Sequence, residues 1–161
     1  MSRFRTVLLV LVAAGLAGTV RAADEAAEIR TFLEAYDRAF VAKDLDRLAA
    51  FYHPDVTIFE GGGINRGWAD YRDNHLGPEL AEFEGLEFGH RGVTPTPLGS
   101  GGRVAYVTSE YYLKARVKDR EIDAAGIETL VLVRDGKGAW KIRHSHTSSR
   151  RRPPASTAPQ D

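Results

Sequence analysis

Apolar side chains recur at helical spacing through Ile29, Phe32, Leu33, Tyr36 and Phe40. This one-sided stripe predicts a first helix over Asp24 to Lys43. Glu28, Arg30, Glu34 and Arg38 fall largely off it. Asp24 suits the N-cap, and Lys43 suits the negative end of the helix dipole. Asp44 then caps a second, short helix that turns Leu45, Leu48, Ala49 and Phe51 inward. His53-Pro54-Asp55 ends it, because the residue before a proline avoids helical angles. From Val56 to Glu60 the period changes to two. Val56, Ile58 and Glu60 share one face of a strand, and Thr57 and Phe59 share the other. Gly61-Gly62-Gly63 turns the chain, and Ile64-Asn65-Arg66 returns as a short partner. Trp68, Tyr71, Arg72 and His75 then mark one face of a third helix. Gly77-Pro78 breaks or kinks that helix, and Glu79 to Phe83 resumes it.

The second half reads as β. Strands are expected over Leu86 to Val93, Val104 to Lys118, Glu121 to Val133 and Trp140 to Ser148. Asp119-Arg120 and Asp135-Gly136-Lys137-Gly138 form turns between the last three. A bulge is expected at Ala125-Gly126. Helices grouped early and long strands late make an α+β chain: one curved antiparallel sheet packed on three helices from the N-terminal half. Such a sheet, partly closed by helices, leaves a cone-shaped cavity.

Composition narrows the picture. The chain has 161 residues, long enough for one domain with a proper core. Arg3 and Arg5 precede an apolar run from Thr6 to Val20, followed by Val20-Arg21-Ala22. This reads as a signal peptide, residues 1–22, cleaved after Ala22. The domain is then 23–149, with a disordered tail at 150–161, and the expected location is periplasmic or secreted. Losing Arg3, Arg5 and Arg21 from a chain with 22 basic and 22 acidic side chains leaves a formal charge of −3. No nucleic-acid partner is expected at that balance, and no membrane contact after cleavage. Without cysteine there is no disulfide, thiol nucleophile or thiolate metal site.

Several residues could carry chemistry. Glu60 ends a strand whose same-face neighbours are apolar. A carboxylate at the edge of an apolar cavity has a raised pKa and suits a general base. On the last strand, alternation puts Ile142, His144, His146 and Ser148 on one face. Lys141, Arg143, Ser145 and Thr147 take the other, which is polar and should face water. His144 and His146 would then face the concavity, as would His75. His146 could act as an acid or base. His75, His144, His146 and Glu60 together could alternatively hold a divalent metal, although His-x-His on a strand is a weak motif. Trp68, Tyr71, His75 and His144 are candidate ligand contacts. Glu110 and Tyr112 join them if their face of the long strand is concave; the alternate face carries Val107, Ser109, Tyr111 and Leu113. Arg72 and Arg91 could hold an anion. The glycine run at 61–63 lacks the lysine and the strand–loop–helix setting of a phosphate loop, and no cofactor is implied.

The stretches YDRAFVAKDLDRLAAFYHPDVTIFEGGG, RGWADYRDNHLGPELAEF and LVLVRDGKGAWKIRHSHTSS resemble the nuclear-transport-factor-2-like superfamily, and within it the SnoaL-like and DUF4440-type domains. The last is also similar to the association domain of calmodulin-dependent kinases. The resemblance covers Asp24 to Ser149 and implies the cone fold and a homodimer formed through the convex sheet face. Against ketosteroid isomerase, the oxyanion tyrosine falls on Tyr36 and the base on Glu60. The second acid falls near Leu130, where this chain has none. The implied function is a domain binding an unknown small molecule. It could be an isomerase, cyclase or dehydratase, a non-enzymatic binding or oligomerisation module, or a metal-binding protein.

Overall fold

A computed structural model describes residues 3–99 and 101–151, with side chains described from 22 to 149 except 100. The first helix, α1, runs Arg3–Val41. Asp24 therefore lies inside it and does not cap it, since Arg21-Ala22-Ala23-Asp24 holds no helix breaker. Of the segment read as a leader, residues 1–22, the side chains of 1–21 lie outside the described set. Among the described residues, no helix is long and apolar enough to cross a membrane. Lys43 follows α1 with a φ of 55° and donates from Nζ to the Phe83 carbonyl. Asp44 caps α2, Leu45–Ala49, by accepting from the Arg47 amide at 2.9 Å.

The sheet has six strands: β1 Tyr52–Glu60, β2 Gly63–Arg66, β3 Glu84–Leu98, β4 Val104–Val117, β5 Arg120–Arg134 and β6 Trp140–Arg151. Their order is β2-β1-β6-β5-β4-β3. All neighbouring pairs are antiparallel except β1 with β6, which is parallel. The last strand thus closes against the first, a long-range pairing that no local pattern announces. β6 extends to Arg151, so residues 150 and 151, expected in the disordered tail, belong to the last strand; residues 152–161 lie outside the described set.

One face of the sheet packs on the helices. Ile29 and Leu33 of α1 share a buried cluster with Ile58, Val107, Leu130, Leu132 and Ile142 from four strands. Alternation along β4 places Ala105, Val107, Ser109 and Tyr111 on this inner face, each buried, and leaves Tyr106, Thr108 and Glu110 exposed on the outer one. Glu110 and Tyr112 therefore point away from the helices. Tyr112 instead lies under the Arg91 guanidinium, 4.5 Å from ring centre to Cζ.

Three local details differ from the pattern-based expectation. β4 and β5 pair without interruption past Ala125 and Gly126, so there is no bulge there. Gly126 is needed for a different reason: a Cβ at this position would lie 2.2 Å from the Ser148 carbonyl oxygen and 2.8 Å from the Tyr111 ring. The β5–β6 pairing does carry a bulge, and it lies in β6. Val131 pairs with His144 and Leu132 with Ile142, so Arg143 is the extra residue. Finally, the third helix is not broken at Gly77-Pro78. It runs as α3, Trp68–Tyr71, then a π turn over Arg72–Leu76, then α4, Gly77–Glu82. Pro78 has no amide to donate inside this continuous helix, and it follows directly on the wider turn closed by the Gly77 amide on the Arg72 carbonyl. The π turn inserts one residue into the helical stripe. Leu76 becomes buried, while Arg72 stays at the surface paired with Asp73.

Candidate functional site

Between the helices and the inner face lies a cavity of about 50 Å³, measured as the space open to the centres of water molecules. Roughly 10–15 Å³ on this measure holds one water, so the cavity has room for a handful of non-hydrogen atoms. Its walls include four tyrosines, Tyr36, Tyr52, Tyr71 and Tyr111, and three glutamates, Glu60, Glu79 and Glu128. Phe40 and Phe88, stacked 4.1 Å apart, add apolar wall. Among the described residues, no lysine or arginine lines it.

Glu60 reaches the cavity because strand alternation carries it to the inner face beyond Val56 and Ile58. Tyr71 donates to Glu60 Oε2 at 3.4 Å, and His75 Nε2 lies 3.7 Å from the same oxygen. Burial pushes the Glu60 carboxyl above the ordinary range, with the neighbouring imidazole of His75 working against the rise. His75 is held from both sides. Its Nδ1 lies 2.8 Å from the Asn65 side-chain oxygen, and its Nε2 lies 3.5 Å from Glu79, one helical turn on. The bond to Glu79 raises the His75 pKa despite partial burial.

The tyrosines pack together. The Tyr36 and Tyr52 hydroxyls are 2.8 Å apart, and the Tyr52 ring packs edge-on against Tyr71 with ring centres 5.7 Å apart. Phenols from α1, β1 and α3 thus cluster at the cavity wall, and the one from α3 donates to the Glu60 carboxylate. Burial raises the pKa values of all three phenols, so each is a protonated hydrogen-bond donor at neutral pH.

A second polar group backs the opposite wall. His90 on β3 places Nδ1 2.6 Å from Asp37 of α1 and Nε2 2.7 Å from Glu128 of β5. The His90 amide also donates to Asp37 at 3.0 Å. Ser145 of β6 donates to the other oxygen of Glu128 at 2.7 Å. The His90 ring is 2% exposed. Burial alone would lower its pKa, but the two carboxylates bond to it and raise it to about 9. The ring is thus an imidazolium at neutral pH, and it fixes Glu128 at the cavity wall.

Of the residues singled out from sequence, Tyr36, Glu60 and Tyr71 line the cavity, and His75 touches Glu60. Trp68 stacks on Tyr52 at 4.7 Å and does not line the cavity. His144 and His146 do not face the concavity. They pack on the outer face against Phe59, at 5.0 and 5.8 Å between ring centres. The extra residue at Arg143 reverses the alternation. Ile142 is inward before it, and Ser145 and Thr147 are inward after it. His75 thus lies on the other side of the sheet from His144 and His146, and the three cannot share an ion. Among the described residues, no group of three or more histidine or acidic side chains is arranged to hold a metal.

Asp37, His90, Glu128 and Ser145 were not singled out from sequence. A signal existed for two of them: His90 shares the parity of Leu86 and Phe88, and Glu128 shares that of Leu130 and Leu132. Asp37 and Ser145 carried none, since one is off the apolar stripe and the other follows the bulge.

Residues 29–151 match the SnoaL-like domain family. Among curated proteins none matches the sequence. Among solved structures, the chain is similar to a proposed ketosteroid isomerase from Shewanella frigidimarina, at 27% identity and a TM-score of 0.64, over 73% of this chain and 92% of that one. It also matches a nuclear-transport-factor-2-like protein from Salmonella enterica, at 17% identity and a TM-score of 0.72, over 84% and 98% of the two chains. A third match is a proposed scytalone dehydratase from Novosphingobium aromaticivorans, at 17% identity and a TM-score of 0.66, over 91% and 99%. The last two establish a shared fold.

Proposed function

The chain belongs to the SnoaL-like domain family, and from that premise we propose that it binds a compact organic molecule in the cone and moves a proton on it. Glu60 is the acid–base group. The observation that carries this reading is that Glu60 opens on the same cavity as Tyr36, Tyr52 and Tyr71, the first two bonded to each other and the third to Glu60. A half-buried carboxylate with a raised pKa is a stronger base once ionised and an available acid once protonated. Protonated phenols in a dry site stabilise the oxyanion that forms when a proton leaves the carbon beside a carbonyl. The related structures proposed as an isomerase and a dehydratase support this reaction class. Catalysis by His146 loses its basis, since that ring lies on the outer face. A steroid nucleus needs several times the volume present, so the substrate is smaller.

The test is hydrogen exchange. Small ketones such as butanone are incubated with protein in deuterated water, and loss of the proton signal beside the carbonyl is followed by NMR. Glu60→Gln should slow the protein-dependent exchange by roughly 10²–10⁴-fold. Unchanged exchange in that variant would remove Glu60 as the base. Export with cleavage after Ala22 and pairing of two copies through the outer sheet face complete the proposal. Ile64, Leu98, Tyr106 and Ile127 expose apolar surface on that face, which favours a partner there.

A further inference from the structure

We infer that the ligand of this cavity carries a positive charge: a compact alkylammonium compound, held between tyrosine faces and glutamate carboxylates. The inference rests on the same cavity as the proposed function and names the substrate class that cavity selects.

Three features converge. The first is the shape of the aromatic wall. Tyr36 and Tyr52 meet at 74°, Tyr52 and Tyr71 at 64°, and Tyr36 and Phe88 at 70°. These rings pack edge to face into one aromatic wall, and the parts of it turned to the cavity attract a cation through the ring quadrupole. The second is charge. Glu60, Glu79 and Glu128 reach the cavity, and no lysine or arginine among the described residues does. With Asp37 behind Glu128, four carboxylates stand against two imidazoles, His75 and His90. A negative surplus remains even with both rings charged. A ligand with a full negative charge would meet repulsion from three carboxylates and find no lysine or arginine among the described wall residues to offset it. The third is the state of Glu60. Its partners are a hydroxyl at 3.4 Å and an imidazole at 3.7 Å, both longer than a strong charged hydrogen bond. A neutral ligand would leave that half-buried charge poorly compensated, whereas an ammonium group supplies the missing counter-charge. The upward pKa shifts of Glu60, His75, His90 and the lining tyrosines fit a negative field, although burial leads for the carboxyl and the phenols.

The size of the cavity limits the ligand to a few non-hydrogen atoms, the scale of a small amine. Two molecules of nearly the same shape separate charge from fit: tert-butylammonium chloride and tert-butanol. Each is titrated into the full protein at pH 7, and the methyl signal is followed by NMR, since enclosure by ring faces shifts it upfield. The ammonium should bind at least ten-fold more tightly than the alcohol. Glu60→Gln and Glu128→Gln should each weaken it several-fold, and the alcohol should be little changed. Glu60→Gln alone suffices if loss of the His90 partner unfolds the second variant. Equal affinities, absence of ammonium binding, or an ammonium affinity untouched by Glu60→Gln would overturn the inference. Its failure is separable from that of the proposed reaction. Ketone exchange that depends on Glu60 without any preference for the ammonium sinks only the inference. Ammonium binding with exchange indifferent to Glu60 sinks only the reaction.

Discussion

His90 makes the stability of this protein depend on pH in a window where few other groups titrate. The ring is 2% exposed and lies between Asp37 at 2.6 Å and Glu128 at 2.7 Å. Its pKa is raised from an ordinary 6.5 to about 9. A group whose folded pKa is raised contributes stability that is fully present below the unfolded value and is lost as pH rises through the folded one. The window is therefore pH 6.5 to 9. At about 1.4 kcal/mol per pH unit, the full effect is about 3 kcal/mol. His75, also raised, adds a smaller fall of the same sign. Urea unfolding followed by tryptophan fluorescence at pH 6, 7, 8 and 9.5 measures the curve. The wild-type protein should lose about 3 kcal/mol across this range. His90→Gln keeps hydrogen-bonding capacity without the proton, so it should be less stable at pH 6 and keep above it only the smaller fall due to His75. A flat wild-type curve, or a His90→Gln curve as steep as wild type, would refute the bridged imidazolium.

Other outcomes follow from single positions. Glu60 has a raised folded pKa, so its ionisation above that value costs stability. Glu60→Gln should therefore unfold at higher urea than wild type at pH 7, even as exchange activity falls; a lower midpoint would show that the carboxylate is well compensated. Gly126→Ala drives a methyl to 2.2 Å from a backbone oxygen and should cost about 2–3 kcal/mol in the same unfolding assay, and a cost near zero would contradict the tight β5–β6 approach. Ile127 is 63% exposed on the outer face. Ile127→Lys should convert dimer to monomer in analytical ultracentrifugation without changing ligand binding, and a wild-type protein already monomeric at micromolar concentration would end the pairing proposal.

The hydrophobic pattern by itself determined most of the elements. Ile29, Leu33, Tyr36 and Phe40 marked the buried face of α1, and Asp44 marked the start of α2. Alternation through Val56, Ile58 and Glu60 placed the carboxylate on the inner face. These signals are local, because burial of one face imposes its period on the residues nearby. Tertiary structure decided what no local period carries. One residue inserted at Arg143 sent His144 and His146 to the outer face and brought Ser145 in. One π turn replaced the helical break at Gly77-Pro78 and shifted burial to Leu76. The choice between the two faces of β4 left Glu110 and Tyr112 outside. The chain from Asp37 through His90 and Glu128 to Ser145 spans α1, β3, β5 and β6, and it exists only because the sheet brings three distant strands beneath one helix. A period says which residues share a face until an insertion breaks it. Pairing between remote strands decides which of those faces meet, and so which side chains become a site.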